Sequence, residues 1–236
     1  VLILAIETAT ARVGCAVGGH DGVLGLHEIT RGRRHAELLV PAVAWTLRQA
    51  DVTLDEIGCV AVDVGPGLFT GLRVGIAAAK AFAHALGVPV VGISSLELLA
   101  HPVRRSPGLV AAVIDARRGE VFWALFRGAP GGGMQRLGPA RVGSPDDLVA
   151  DLSLGGEPVL AVGDGAVRYR DVLAEQAGVD VGDVFAACPS AGALVQLAHA
   201  RALREDWQSP EAVEALYLRK PDAEINWDTR DGRHRG

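Results

Sequence analysis

The segment from Asp55 to Ile93 limits the possible folds more than any other part of the chain. An aliphatic run, Cys59-Val60-Ala61-Val62, leads into Gly65-Pro66-Gly67. A helical pattern follows from Thr70 to Leu86, and a second aliphatic run covers Pro89 to Ile93. Strand, glycine turn, helix and strand in this order imply a partly parallel sheet flanked by helices. Thr70 is a candidate helix cap and Gly87 a stop signal. Along the helix, Leu72, Ile76, Ala79, Ala83 and Leu86 share one face, and Gly71, Gly75, Ala78 and Phe82 share the next. Arg73, Lys80 and His84 mark its one polar face, so the helix is expected to be covered on most sides. The glycine and alanine line admits a close neighbour, either a helix of the same chain or a partner subunit.

Around this unit, Val1 to Ile6, Val13 to Val17 and Val23 to Ile29 read as three strands of a meander. A helix is expected from Ala36 to Ala50, with Leu39, Val43, Leu47 and Ala50 on one stripe and Leu38, Ala42 and Trp45 on the adjacent line. Pro41 is expected to delay or bend it. In the second half, strands are expected at 109–114, 120–126 and 159–162, and helices at 145–152, 167–177 and 191–205. Both halves carry a strand, a glycine turn and a helix. The expected architecture is α/β with two related subdomains, 1–103 and 104–221, the last helical segment packing back on the first. Residues 222–236 are charged and nearly free of aliphatic side chains, and a disordered tail is expected there.

With 236 residues, 49% of them hydrophobic, the chain can build substantial cores. Its net charge of -5 argues against a protein that grips nucleic-acid phosphates by itself, so a role on RNA is expected to be shared with a partner. Cys15, Cys59 and Cys188 are isolated and form no metal-ligand spacing, which fits a reducing compartment and a cytoplasmic protein. The longest apolar stretch, Val74 to Ile93, is broken by Lys80, His84, Gly87 and Pro89, so no membrane span or signal peptide is expected. Neither H-E-x-x-H nor G-x-S-x-G occurs. The expectation is therefore a chain with no catalytic residues of its own, no metal and no resident cofactor.

Six positions are candidate contacts for a nucleotide or other anion: Glu7, Thr8, Thr10, Gly65, Gly67 and Asp115. Gly65-Pro66-Gly67 precedes a helix, where backbone N–H groups can cradle an anion. It is neither a Walker A loop nor a dinucleotide fingerprint, and a tight strand-to-helix turn explains it equally well. Asp115, Arg117, Arg118 and Glu120 surround a turn between strands and read as an anion site or a solvated hairpin tip. Arg33, Arg34 and His35 form a basic patch, most simply an exposed loop.

Three segments then carry a resemblance. Ile3-Leu4-Ala5-Ile6-Glu7-Thr8-Ala9-Thr10, His35-Ala36-Glu37-Leu38-Leu39-Val40-Pro41, and Val64-Gly65-Pro66-Gly67-Leu68-Phe69-Thr70-Gly71-Leu72-Arg73-Val74-Gly75 resemble the TsaB (YeaZ) family in order and spacing. Asp115-Ala116-Arg117-Arg118-Gly119-Glu120-Val121-Phe122 and Tyr217-Leu218-Arg219 resemble its later motifs, so the likeness covers residues 1 to about 220. The resemblance implies an actin-like ATPase (ASKHA, ribonuclease H-like) fold. It also implies a non-catalytic scaffold or activator role in transfer of threonylcarbamoyl to the adenosine beside the anticodon, in tRNAs that read codons beginning with A. The implied partners are a catalytic TsaD paralogue, as a heterodimer, and the TsaE ATPase, with tRNA engaged indirectly and a homodimer formed alone. It places helices 36–50 and 71–86 at the partner interface, with Leu38, Ala42, Trp45, Gly71, Gly75, Ala78 and Phe82 as contacts.

The resemblance has departures. The TsaD paralogue carries a metal-binding H-x-x-x-H after the strand matching Pro89 to Ile93. With Glu97 set on the acid inside that motif, Ser95 and Leu99 stand in place of the two histidines, and Leu99 cannot ligate a metal. Actin-like ATPases carry an acid with glycine or hydroxyls around phosphate in the first hairpin. Glu7 stands where family members often have Asp, and its turn lacks a glycine. A peptidase, or a small-molecule kinase of the same fold, is the competing reading. The first needs an activated nucleophile or metal-bound water, and the second an intact phosphate hairpin with Asp115 as its carboxylate.

Overall fold

The computed structural model describes residues 1–30, 34–153 and 156–219. Arg33 and the expected tail at 222–236 lie outside the described residues. The chain begins with β1 (Leu2–Glu7), β2 (Arg12–Gly19), β3 (Gly22–Thr30), α1 (His35–Gln49), β4 (Ile57–Gly65), α2 (Phe69–Leu86), β5 (Val90–Ser94) and α3 (Ser95–Ala100). It continues with β6 (Leu109–Arg117), β7 (Glu120–Gly128), β8 (Met134–Arg136), β9 (Arg141–Gly143), α4 (Pro145–Ser153), β10 (Val159–Val162), α5 (Asp164–Arg168), α6 (Arg170–Ala174), β11 (Val179–Val181) and α7 (Ala191–Ala202). The architecture is α/β, with two mixed sheets flanked by helices. The first has the order β3-β2-β1-β4-β5 and the second β11-β10-β6-β7-β8, with β9 also on β7. In the first, β1, β2 and β3 pair antiparallel, whereas β1–β4 and β4–β5 are parallel.

Strand alternation explains why β1 and β4 read as continuous apolar runs. Leu4, Ile6, Val60 and Val62 face α1 and α2, where Leu39, Val43, Leu47, Ile76, Ala79 and Ala83 meet them. Ile3, Ala5, Cys59 and Ala61 face the opposite side, where Leu194, Val195 and Ala198 of α7 cover them. A sheet buried on both faces has no polar side to show. Each fully buried Leu or Ile contributes about 1.5–3 kcal/mol. Helix α7 follows the second sheet in sequence yet packs on the first.

Several elements depart from expectation. Thr70 caps nothing: α2 starts one residue earlier, Leu68 is the N-cap without a side-chain cap, and the Leu68 N–H donates to the Ala9 carbonyl at 2.7 Å. Pro41 lies inside α1 without ending it. Burial of Leu39, Ala42, Val43 and Leu47 holds that helix across the missing N–H. The helix expected at 167–177 is two short ones, α5 and α6, which meet at Tyr169. The helix expected to reach Glu205 ends at Ala202. The three-residue strands β8, β9 and β11 carry no periodic signal long enough to read.

The glycine line of α2 is turned inward. A Cβ on Gly71 would stand 2.0 Å from the Thr8 carbonyl oxygen, and one on Gly75 would stand 2.2 Å from Thr8 Oγ1. The close neighbour that these glycines admit is thus the β1–β2 turn of the same chain. Gly71→Ala is expected to destabilise the protein by about 1–3 kcal/mol, with no relief from Thr8→Ala, because the obstruction is backbone. Gly75→Ala should lose a similar amount and regain part of it in combination with Thr8→Ala. Urea unfolding of the two double-mutant cycles measures both, and equal coupling in the two cycles would contradict this packing.

Candidate functional site

The β1–β2 turn is where the expected anion contacts meet. Glu7 ends β1 and is fully buried. Its Oε1 accepts the Ala9 N–H at 2.8 Å, which closes the turn on itself. Thr8 Oγ1 donates to the Gly71 carbonyl at 2.8 Å. His35 Nε2 lies 2.8 Å from the Thr10 carbonyl oxygen, and Thr10 Oγ1 accepts the Arg12 N–H at 3.3 Å. The turn therefore anchors the starts of α1 and α2 at once.

Gly65 and Gly67 press against this turn. Gly65 has φ +99, in the region glycine favours, and its N–H donates to Asp63 Oδ1 at 2.8 Å. A Cβ on Gly67 would stand 2.2 Å from the Ala9 carbonyl oxygen. The structure thus brings Glu7, Thr8, Thr10, Gly65 and Gly67 together, but as packed turns. The hydroxyl of Thr8 and the N–H groups of Ala9, Gly65 and Leu68 are all donated within the chain. An anion would have to displace those bonds.

Asp115 belongs to a different place, the end of β6. Its Oδ1 accepts the Arg117 N–H at 2.9 Å, and its Oδ2 accepts Arg117 Nη1 at 2.9 Å and Arg168 Nη1 at 3.2 Å. Its own N–H donates to Asp164 Oδ1 at 2.9 Å. Burial pushes the Asp164 carboxyl up from its ordinary range, while the Asp115 N–H opposes the shift. Arg117 and Arg118 both take positive φ, at 65 and 56, so the hairpin is a tight turn built around the Asp115 carboxylate. Asp115 serves the second sheet, and its hydrogen bonds do not join the cluster around Glu7.

Sequence reasoning missed Asp63 and gave Ser95 no structural part. Asp63 is buried on β4, and Ser95 Oγ at the start of α3 donates to its Oδ1 at 2.5 Å. An acid at the end of an aliphatic strand, just before the glycine turn, was the available signal. Ser95 and Leu99 stand where the resemblance puts the paralogue's histidines, and here both are buried. Among the described residues, no group of three or more His, Cys, Asp or Glu side chains could hold a metal ion. No helix among them is long and apolar enough to cross a membrane.

The second candidate area is the outer surface of α1 and α2. Trp45 is 43% exposed and its ring lies 5.0 Å from that of His27. Leu38, Ala78 and Phe82 are half-buried, and Val40 is 57% exposed. At the start of α2, Phe69 and Tyr217 are both exposed with ring centroids 5.6 Å apart, and Arg73 lies over the Phe69 ring at 3.9 Å. Three expected contacts are corrected. Ala42 is buried in the core beneath α1, and Gly71 and Gly75 face Thr8, so none of the three is presented to a partner. Of the basic patch, Arg34 is exposed as expected and pairs with Glu37 at 2.6 Å, whereas His35 is buried at the start of α1.

Comparison with known proteins matches this geometry. Residues 25–139 match the family model described as TsaD: tRNA N6-adenosine threonylcarbamoyltransferase. An uncharacterized Mycobacterium leprae protein is 38% identical over 229 residues; the match covers 94% of this chain and 56% of that protein, so the chain spans about half of its length. The tRNA threonylcarbamoyladenosine biosynthesis protein TsaB of Escherichia coli is 32% identical over 220 residues, covering 92% of this chain and 94% of that one. Among solved structures, YeaZ from Pseudomonas aeruginosa superposes with a TM-score of 0.80 at 29% identity, covering 92% of this chain and 99% of that one. Component A of the (R)-2-hydroxyglutaryl-CoA dehydratase of Acidaminococcus fermentans shares the fold alone, with a TM-score of 0.50 at 10% identity, covering 86% of this chain and 99% of that one. Whole-length identity to curated relatives and a near-complete structural match leave one assignment: the chain belongs to the TsaB (YeaZ) family of tRNA threonylcarbamoyladenosine biosynthesis proteins.

Proposed function

We propose that this chain is a cytoplasmic, non-catalytic subunit of the assembly that transfers threonylcarbamoyl to the adenosine beside the anticodon of tRNAs reading codons that begin with A. It acts by binding a TsaD paralogue, with the TsaE ATPase in the same complex and tRNA held mainly by those partners. The observation that carries this reading is the outer face of α1 and α2. Both sheets already have complete cores, yet these helices leave Val40 and Trp45 exposed and Leu38, Ala78 and Phe82 half-covered. Large aromatic side chains on a helical surface are the kind that anchor interfaces. The net charge of -5 supports indirect engagement of tRNA. The internal use of Ser95 and Leu99 supports a role without metal chemistry at the position of the paralogue's histidines. The division into subdomains 1–103 and 104–221 belongs to the same proposal, with α7 assigned by packing to the first.

Trp45→Ala and Phe82→Ala are each expected to weaken binding of the TsaD paralogue from the same cell by about 2 kcal/mol, roughly 30-fold. The melting temperature of the isolated Trp45→Ala chain should change little, because that side chain is 43% exposed. Calorimetric titration, paired with a tRNA modification assay with and without this chain, provides the measurement. Unchanged affinity in both variants would remove the interface assignment, and modification independent of the chain would remove the subunit role.

A second expectation follows from the same face. Without its partner the chain should self-associate in the micromolar range, and Trp45→Ala should shift it toward monomer. Sedimentation equilibrium decides this, and a strictly monomeric wild-type chain would contradict it.

A further inference from the structure

Two buried carboxylates end neighbouring parallel strands. The register pairs Ile6 of β1 with Val62 of β4, so the next residues along, Glu7 and Asp63, stand side by side. Glu7 is 0% exposed and Asp63 is 1% exposed. Each has one satisfied oxygen: Glu7 Oε1 accepts from Ala9, and Asp63 Oδ1 accepts from Gly65 and Ser95. The other two, Glu7 Oε2 and Asp63 Oδ2, are buried and have no hydrogen-bond partner among the described residues.

Among the described residues no cation hydrogen-bonds to those two atoms, and Arg12 acts on Glu7 only through space. From β2, Arg12 directs Nη1 to Glu28 Oε2 of β3 at 2.9 Å. From α1, His35 is engaged by the Thr10 carbonyl. From α3 comes the Ser95 hydroxyl, spent on Oδ1 of Asp63. Cys188, ahead of α7, brings a thiol that burial pushes up and that bonds toward Thr10. The glycine face of α2 brings no titratable group to the turn. Two bare anions in a dry site cost far more than one anion hydrogen-bonded to one acid.

We propose that Glu7 and Asp63 bind one proton between them until the pH reaches neutrality, and that this carboxyl–carboxylate pair clamps the β1–β2 turn to the Gly65–Gly67 loop and the start of α3. The inference does not depend on the proposed partner. The electrostatics run the same way. Burial pushes the Asp63 carboxyl up to about 7. Burial first, then the neighbouring Asp63, holds Glu7 well above the carboxylate range, while the Ala9 N–H and Arg12 oppose the shift. Both affinities exceed those of the unfolded chain, whose carboxyls titrate near 4. The stabilisation is therefore complete below pH ~4 and is lost as pH rises through about 7.

Carboxyl-carbon NMR of the full chain, titrated from acid to alkali, tests the pair. In wild type, Glu7 and Asp63 should respond together to a proton lost near pH 7. Glu7→Gln should move the Asp63 step down by at least one pH unit, a tenfold drop in proton affinity, and Asp63→Asn should do the same to Glu7. Either residue titrating unchanged without the other, or both ionising below pH ~5 in wild type, would overturn the proposal. So would a downward shift of the wild-type step on adding magnesium or calcium ions, because a cation would then occupy the place of the proton. Should a variant fail to fold, wild-type melting temperature against pH still decides. The pair requires it to fall as pH rises above ~4 and to level off as the proton is released near 7, and no fall over that range counts against it.

Discussion

The approach of the β1–β2 turn to the first two turns of α2 holds the first sheet and its outer helices in place. The contact is closer than side chains allow, since a Cβ at Gly67, Gly71 or Gly75 would stand 2.0–2.2 Å from atoms of Thr8 or Ala9. Three glycines at these spacings remove the obstruction, so that backbone meets backbone at Gly67 and Gly71 and meets the Thr8 hydroxyl at Gly75. Hydrogen bonds then fill the gap, from Thr8 Oγ1 to Gly71 and from Leu68 to Ala9, while His35 binds Thr10 from α1. The turn is occupied by the chain's own helix. The same glycines that suggest an anion cradle are the reason no cradle stays open.

Burial on both faces follows from this docking. With α1 and α2 pinned on one side, β1 and β4 still present Ile3, Ala5, Cys59 and Ala61 on the other, and α7 returns from the far end of the chain to cover them. The return also brings Ser190, at the cap of α7, to Glu28 of β3 at 2.8 Å. That leaves α1 and α2 as an outer layer whose inner stripe is spent and whose outer stripe still carries Trp45 and Phe82. Phe82 still packs partly against the first core, whereas Trp45 stays 43% exposed, and this apolar exterior is what the proposed partner would cover.

Much of this was legible in the sequence. The β-α-β unit, the meander and the helical stripes depend on periodicity that a chain displays directly, and β1 to β7 appear where the patterns put them. The three-residue strands and the split of α5 from α6 depend on tertiary contacts, which periodicity does not encode. The site was less legible for a specific reason. Gly71 and Gly75 announce a close neighbour, yet nothing local tells a partner helix from the chain's own turn 63 residues away. Ala42 failed similarly: small residues suit an interface and a core equally, and the helix rotation that decides between them is set by β2 and β3. Asp63 was overlooked because an acid at a strand end reads as a turn residue until the fold closes over it.

The hidden acid bears on how the turn is maintained. Glu7 bends Oε1 back to the Ala9 N–H while Oε2 stays buried. Asp63 uses the same economy, giving Oδ1 to Gly65 and Ser95 and leaving Oδ2 bare. Each carboxylate thus ties its own segment with one oxygen and keeps the other buried. Fixing both segments by fully charged acids would set two anions against each other in a dry site. A single shared proton keeps all three local hydrogen bonds and turns the repulsion into a fourth. On this view the acid of the turn holds two loops of the same sheet together.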